Sequence, residues 1–556
     1  MKATTVKTME VNMDELESIL RRAQTSPLSE KDCAKIKAVF ESYLCLTNLL
    51  EDKQMTIKRL RQMVFGASTE KTAAVIKKTE EEDEPQSPPA PDDAARAPPQ
   101  QKEDEHSEPG PERKGHGCNG AAAYTGAEKI PVPHEGLHPG DSCPECKKGK
   151  VYELKIPGVL IRIVGRAPVQ AKVYELQKLR CNLCGKVFTA PAPEGIGTEK
   201  YDATAVSMMA LLKYGSGLPF NRLQGLQGSL GIPLPASTQW DIISCAAKKI
   251  EPVYEELICQ AAQGELLHND DTTMRILGLT GETKAEAYAY GESKRKGVFT
   301  SGIVSVTGGR RMALFFTGRR HAGENLAEVL RHRAADLAAP IQMCDALSRN
   351  EPKGFETILA NCNAHGRRQF VEVAESFPTE CRFVLETLKE VYKNEAVAKK
   401  RNLAPQERLR FHQTQSGRVM GKLKGWLDRQ LRQKLVEPNS GLGQAIQYML
   451  NHWRKLTQFL KIPGAPLDNN ICERALKLAI LHRKNALFYK TVPGAHVGDI
   501  FMSLIHTCRL CGADPFDYLT ALHRHAAELS AAPAKWMPWN YALTLSAAPT
   551  RTAPLP

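Results

Sequence analysis

Three acidic residues sit in separate settings along the chain: Asp270 in Leu267-His-Asn-Asp-Asp-Thr-Thr, Asp345 in Pro340-Ile-Gln-Met-Cys-Asp, and Glu473 in Leu467-Asp-Asn-Asn-Ile-Cys-Glu-Arg-Ala-Leu. Carboxylates converging from two strands and a helix can hold a pair of Mg²⁺ ions for phosphodiester chemistry. In-line attack on a phosphodiester builds negative charge on the entering and leaving oxygens, and two metals about 3.5 to 4 Å apart stabilise both. One Asp bridging the metals, with one further acid on each, is a sufficient protein contribution, because Mg²⁺ keeps waters and takes phosphate oxygens for the rest.

Each acid also has an ordinary explanation. Asp270 and Asp271 could end a strand and enter a turn, Asp345 could cap a following helix, and Asn470-Ile-Cys-Glu473 fits a capping box. The argument for chemistry is their company. Asn363-Ala-His-Gly-Arg-Arg-Gln-Phe370 reads as a helix on which His365 and Arg368 share a face suited to gripping a phosphate, with Arg367 beside them.

The elements that must position these groups follow from a change of period near Gly264. Gly264-Glu-Leu-Leu-His-Asn-Asp, Ala287-Tyr-Ala-Tyr-Gly, Gly302-Ile-Val-Ser-Val-Thr and Met312-Ala-Leu-Phe-Phe read as strands. A helix follows near Ala322 to His332, then a strand at Ile341-Gln-Met-Cys-Asp345, so the pattern predicts a mixed α/β sheet. Residues 375 to 460, rich in Lys, Arg, Glu and Leu, read as an all-helical insertion between Asp345 and Glu473.

Upstream, Cys143-Pro-Glu-Cys146 and Cys181-Asn-Leu-Cys184 supply four thiolates for a tetrahedral Zn²⁺. Strand-like runs at Val159-Leu-Ile-Arg-Ile-Val and Lys172-Val-Tyr-Glu-Leu between them predict a zinc ribbon, with unliganded turn cysteines as the alternative. Cys508-Arg-Leu-Cys511 has no second pair near it and sits in an apolar helical run, where core packing accounts for it. Residues 203 to 248 read as helices over Thr204 to Tyr214, Phe220 to Leu230 and Ala236 to Lys249, the last opened by Ser237 and Thr238 after a turn at Gly231. That arrangement is either a helix-turn-helix or a plain helical hairpin.

At the start of the chain, Val39, Tyr43, Leu46, Leu50, Ile57, Leu60 and Val64 form a seam that could dimerise as a coiled coil or pack on its own domain. Residues 72 to 115 lack the large apolar side chains needed to offset chain entropy and are predicted to be a disordered linker. The 556-residue chain carries a net +13, yet residues 80 to 112 hold twelve acids against Arg96 and Lys102. The remainder is therefore more basic than the total suggests, which points to a polyanionic partner. No apolar h-region opens the chain and no run approaches the roughly 20 apolar residues of a membrane span. With fifteen scattered cysteines, a reducing cytoplasmic compartment is expected.

On these residues the chain resembles the bacterial insertion-sequence DDE transposases of the IS sixty-six group. The blocks that carry the likeness are Phe65-Gly-Ala-Ser-Thr-Glu-Lys, the two Cys knuckles, Leu218-Pro-Phe-Asn-Arg, His268-Asn-Asp-Asp-Thr, Ala364-His-Gly-Arg-Arg-Gln-Phe, Asp468-Asn-Asn-Ile-Cys-Glu-Arg-Ala-Leu-Lys and the segment from Ser503 to Leu519. The resemblance implies Asp270, Asp345 and Glu473 as a metal-binding catalytic triad on a ribonuclease H-like core. In that fold's strand order, used here by analogy, Asp270 and Asp345 would lie on neighbouring central strands. Two departures stand out: the family usually has Asp-Glu-Thr at Asp270-Asp271-Thr272, and its second acid is often followed by Gly-Tyr, where this chain has Ala346-Leu.

The expected organisation is thus a zipper-like segment (1–71), linker (72–115), zinc ribbon (116–200), helical DNA-binding region (201–260), first part of the core (261–375), helical insertion (376–460), the core helix with the third acid (461–490) and a C-terminal helical segment (491–556). The expected activity is cleavage at element ends and joining of 3′-hydroxyls to target DNA with two Mg²⁺ and a structural Zn²⁺, His365, Arg367, Arg368, Arg474 and Arg222 contacting DNA. A homo-oligomer at the nucleoid, with accessory proteins of the same element, is the expected setting. A DNA-binding regulator derived from a transposase, or a nuclease without strand transfer, are the alternatives.

Overall fold

The computed structural model describes residues 131, 136–152, 166–180, 187–193, 199–279 and 297–547. The seam from Val39, the acidic linker, the runs at 159–164 and 287–291, and Cys181 and Cys184 lie outside these residues. The described chain is α/β, with antiparallel and parallel strands among many helices. It divides into two compact units. Among the described residues the smaller unit comprises Ala339–Ser348 and Thr357–Asn470, and the larger one the rest.

The larger unit is built on an antiparallel meander of β3 (Leu266–Met274), β4 (Val298–Thr307) and β5 (Arg310–Gly318), counting β1 (Lys178–Arg180) and β2 (Val187–Thr189) upstream. A tight turn with positive φ at Gly308 and Gly309 joins β4 to β5, a conformation open to glycine without strain. Three helices precede the meander: α1 (Ala203–Ala210), continued by a π-helical turn Leu211–Gly215, α2 (Phe220–Ser229) and α3 (Ala236–Ala262). The last departs from the expected hairpin in two ways. It runs thirteen residues beyond Lys249, straight through Pro252, and its N-cap is Pro235, with Ser237 and Thr238 inside the helix. Packing overrides the proline: Ile243, Ala247, Ile250, Tyr254, Leu257 and Ala261 form a buried stripe at helical spacing, and the Tyr254 hydroxyl donates to the Phe315 carbonyl at 3.1 Å. The buried residues of α3 thus share one hydrophobic cluster with those of the sheet.

The open edge of β5 would present unpaired main-chain groups. They are taken by α10 (Val492–Cys511), whose Asp499, Ser503 and Thr507 accept from the amides of Thr317, Phe315 and Ala313. Four helical residues rise about 6 Å and two strand residues about 6.8 Å, so the two ladders stay in step over three rungs. Cys508 is fully buried in this helix and Cys511 contacts the Arg311 carbonyl through sulfur, which is packing.

In the smaller unit β6 (Ile341–Cys344) pairs in parallel with β7 (Ile358–Asn361). Four helices follow: α5 (Asn363–Val373), α6 (Pro378–Lys400), α7 (Pro405–Arg432) and α8 (Gly441–Asn451). Phe370, Leu385, Leu388, Met420, Leu423, Ile446 and Phe459 give them their own core. Within it lies a buried polar chain. Glu395 accepts from His412 Nε2 at 2.8 Å and from Arg408, while His412 Nδ1 lies 2.9 Å from Ser416 Oγ. Ser416 and His412 have no solvent exposure, so this Ser-His-Glu series locks α6 to α7 and is closed to substrate.

One correction concerns the cysteine region. Lys172 to Leu176 is not a strand; Val173, Tyr174 and Leu176 are exposed, and the strand β1 begins only at Lys178, where pairing with β2 starts.

Candidate active site

Asp270 lies in the middle of β3, paired in register with Gly302 of β4. Directly opposed residues in an antiparallel pair point to the same face. A Cβ at Gly302 would meet Leu476 at 3.0 Å and Cys472 Sγ at 3.6 Å, both on α9 (Asn470–Ala486). Asp270 therefore faces α9, the helix that carries Glu473 next to Cys472. The Cys472 thiol donates to the Gly302 carbonyl at 3.3 Å and fixes this close approach. Further along the same helix, Arg483 bonds to Thr272 Oγ1 at 3.2 Å and to the carbonyl of Thr273, so α9 is fastened to β4 near its start and to β3 near its end.

The neighbouring Asp271 serves the opposite face, as the two-residue period of a strand requires. Its side chain is 2% exposed and bonds to His321 Nδ1 at 2.9 Å and to Arg349 at 3.2 Å. Asn269, on that same face, donates to the Asn350 carbonyl. The substituted position in Asp270-Asp271-Thr272 is thus a structural anchor for α4 (Ala322–Leu330), at whose start His321 stands, and for the Arg349 segment.

The smaller unit holds Asp345 immediately after β6, half-buried, with Oδ1 accepting the Leu347 amide at 3.1 Å. That local bond is a turn, not the helix cap that the sequence allowed. The Asn361 amide donates to the Asp345 carbonyl, and Cys362 donates its N–H to the Cys344 carbonyl. Tyr448 of α8 stands near Asp345; burial first, then the negative charge of Asp345, push its phenol up to about 12. His365, Arg367 and Arg368 occupy the first turns of α5 and are half-buried. The start of α5 is tied to the segment that leads into α9. Asn363 bonds through its amide and side chain to the Leu467 carbonyl, and the Asn469 amide donates to Cys362 Sγ at 3.3 Å.

Within the larger unit the first turn of α9 is held by Cys472, with Glu473 next in sequence. Glu473 is half-buried and Arg474 exposed. At the far end of α9, His482 stacks on Tyr489 with centroids 4.4 Å apart. Burial first, then Lys213, hold its imidazole down at about 3, so it is a neutral packing group. Arg222 is exposed on the first turn of α2.

At the first knuckle the chain makes a tight turn. Cys143 donates its N–H to the Gly149 carbonyl, Lys147 takes a positive φ, and the Gly149 amide points at Cys146 Sγ from 3.4 Å. That amide, followed by the Lys148 amide and Cys143, lowers the Cys146 thiol below its ordinary range.

Sequence reasoning missed Gly302, Arg483, Asn361 and Tyr448. A glycine inside a strand pattern was the available signal for the first, since it marks a close backbone approach.

Comparison with known proteins places the chain among the transposases. It belongs to the family described as Transposase IS66 family, which matches residues 199–497 and so takes in all three acids. The protein y4hP of Sinorhizobium fredii, described as uncharacterized, is 25% identical over 429 residues, 73% of this chain and 74% of its own length. Two further uncharacterized proteins of that organism, y4jD and y4qI, are each 27% identical, over 61% and 62% of this chain and 66% and 63% of their own lengths. No solved structure matches the chain. No helix of the described residues is long and apolar enough to cross a membrane.

Proposed function

We propose that this transposase binds the terminal inverted repeats of its element, cleaves DNA at the ends and joins the 3′-hydroxyls to target DNA, using Asp270, Asp345 and Glu473 on a ribonuclease H-like core. The observation that carries the reading lies within the larger unit: Cys472, the residue before Glu473 in the first turn of α9, is held to Gly302, the register partner of Asp270. The donor set suits Mg²⁺, since all three groups are hard carboxylate oxygens on half-buried side chains. When bound, two such ions supply charge stabilisation for an in-line displacement. The chain's own contribution is to orient the carboxylates and to offer His365, Arg367, Arg368, Arg474 and Arg222 to phosphates.

Strand transfer of a pre-cut end with a free 3′-hydroxyl into plasmid DNA tests this. Asp270→Asn or Glu473→Gln is expected to abolish joining while end binding stays largely intact. Retained joining in either variant would overturn the assignment. Cutting without joining by the wild-type protein would make it a nuclease, and binding alone a regulator. We further propose that Cys143, Cys146, Cys181 and Cys184 hold one structural Zn²⁺; the turn and lowered thiol at Cys146 support this. Elemental analysis should find one zinc per chain, lost in Cys146→Ser with weakened DNA binding. We also propose a homo-oligomer acting at the bacterial nucleoid with accessory proteins of the same element.

A further inference from the structure

Helix α7 buries one stripe, His412, Ser416, Met420, Leu423 and Leu427, against the rest of its unit. The opposite side is exposed and cationic. Arg410, Arg418, Lys422, Lys424, Arg429 and Arg432 are all exposed, and at 100° per residue they fall within roughly half the circumference. Among the described residues the only ion pair on this side is Arg432 with Asp428, at 3.7 Å.

Down the middle of the same side run Gly417, Gly421 and Gly425, one per turn. A Cβ at Gly421 or Gly425 would meet nothing within 4 Å, and at Gly417 only the His412 carbonyl at 3.8 Å. Glycine is unfavourable inside a helix, and no neighbouring side chain uses the space. Among the described residues the bare strip thus has no packing partner, and its rims carry positive charge. Two such faces would repel one another, so a second copy of the chain is a poor occupant. From Arg410 to Arg432 the face extends about 33 Å, close to one turn of duplex.

We propose that this face of α7 docks the sugar-phosphate backbone of duplex DNA, the glycines letting the backbone lie close while the flanking cations meet phosphates. The proposal rests on the reading of the chain as a DNA transposase. Its test is the affinity of the full chain for a 30-base-pair duplex of arbitrary sequence, measured against KCl concentration. For Arg418→Ala/Lys422→Ala/Arg429→Ala the slope of log K against log salt should become shallower by about 2 to 3 and binding should weaken roughly tenfold or more. Arg418→Lys/Arg429→Lys should bind as the wild type. Gly421→Leu/Gly425→Leu keeps every charge and should also weaken binding, with no loss of thermal stability. Wild-type binding with an unchanged slope in the triple variant would overturn the α7 surface and leave the transposase reading standing. A glycine variant that alters sedimentation but not DNA affinity would overturn it in favour of self-association. Failure of the wild-type chain to join ends would strike the functional reading instead.

Discussion

Both oxygens of the Asp499 carboxylate are spent on a single residue: Oδ2 accepts the Thr317 amide at 2.7 Å and Oδ1 the Thr317 hydroxyl at 2.6 Å. This pair is the first rung by which α10 closes the open edge of β5. Burial pushes the carboxyl up to about 7, against the opposing pull of the Thr317 bonds and His496. The folded chain then keeps a proton that the unfolded chain loses near 3.8. Between these values unfolding releases a proton, so this group's contribution to stability falls as pH rises from about 4 to about 7 and is constant outside that window. Asp499→Asn removes the slope. Its melting temperature relative to wild type should be higher at pH 7.5 than at pH 4.5, and parallel melting profiles across that range would refute the assignment.

Glu395 gives the opposite sign. Burial opposes its ionisation, but the bond from His412 and the charges of Arg408 and Lys399 overcome burial and hold the carboxyl down at about 2. The stabilisation is present above about 4.5, its unfolded value, and is lost as pH falls from there to about 2. Glu395→Gln leaves His412 and Arg408 without their common anion and should cost about 3 kcal/mol at neutral pH. Chemical denaturation at pH 7 and pH 3 should show the wild-type advantage shrinking at the lower pH; equal differences would count against the network.

On the proposed function, Asp270 and Asp271 divide chemistry and structure between adjacent positions. Asp271→Asn loses a buried bond to His321 and half-exposed Arg349, and should destabilise by roughly 2 kcal/mol. Asp270→Asn should leave the melting temperature nearly unchanged and remove strand transfer. Comparing melting and joining for the two variants checks both statements, and a reversed pattern would exchange their roles.

Much of this division was legible in the strand itself, because alternation along Leu267 to Thr273 already sends Asp270 and Asp271 to opposite faces. The seam of α3 was legible only to Lys249, since Pro252 is a local stop signal and the packing that overrides it comes from β5, some sixty residues on. Likewise Asp499, Ser503 and Thr507 read as polar interruptions in an apolar helix. Their partners stand more than 180 residues upstream, so no local pattern reveals that they close a sheet edge. The capping-box pattern Asn470-Ile-Cys-Glu473 marked the start of a helix, but what holds that helix, Gly302 under Cys472 and Leu476, is a long-range fit that a lone strand glycine does not specify.

That fit yields the most direct test of how α9 is placed. A methyl at Gly302 would stand 3.0 Å from Leu476 Cγ and Cδ2, closer than packed carbons accept, so Gly302→Val should force the helix away from β4. Overpacking of this kind costs about 1 to 3 kcal/mol, and the displacement should lower strand transfer more steeply than stability, because Glu473 moves with the helix. Leu476→Ala alone should cost about 2 to 4 kcal/mol through the space it empties. Combined with Gly302→Ala, it restores room where the methyl intrudes. The double variant should then be more active and more stable than the sum of the single effects predicts, with a coupling of about 1 kcal/mol. Strict additivity in both melting and joining would mean that contact between Gly302 and Leu476 does not set the position of Glu473.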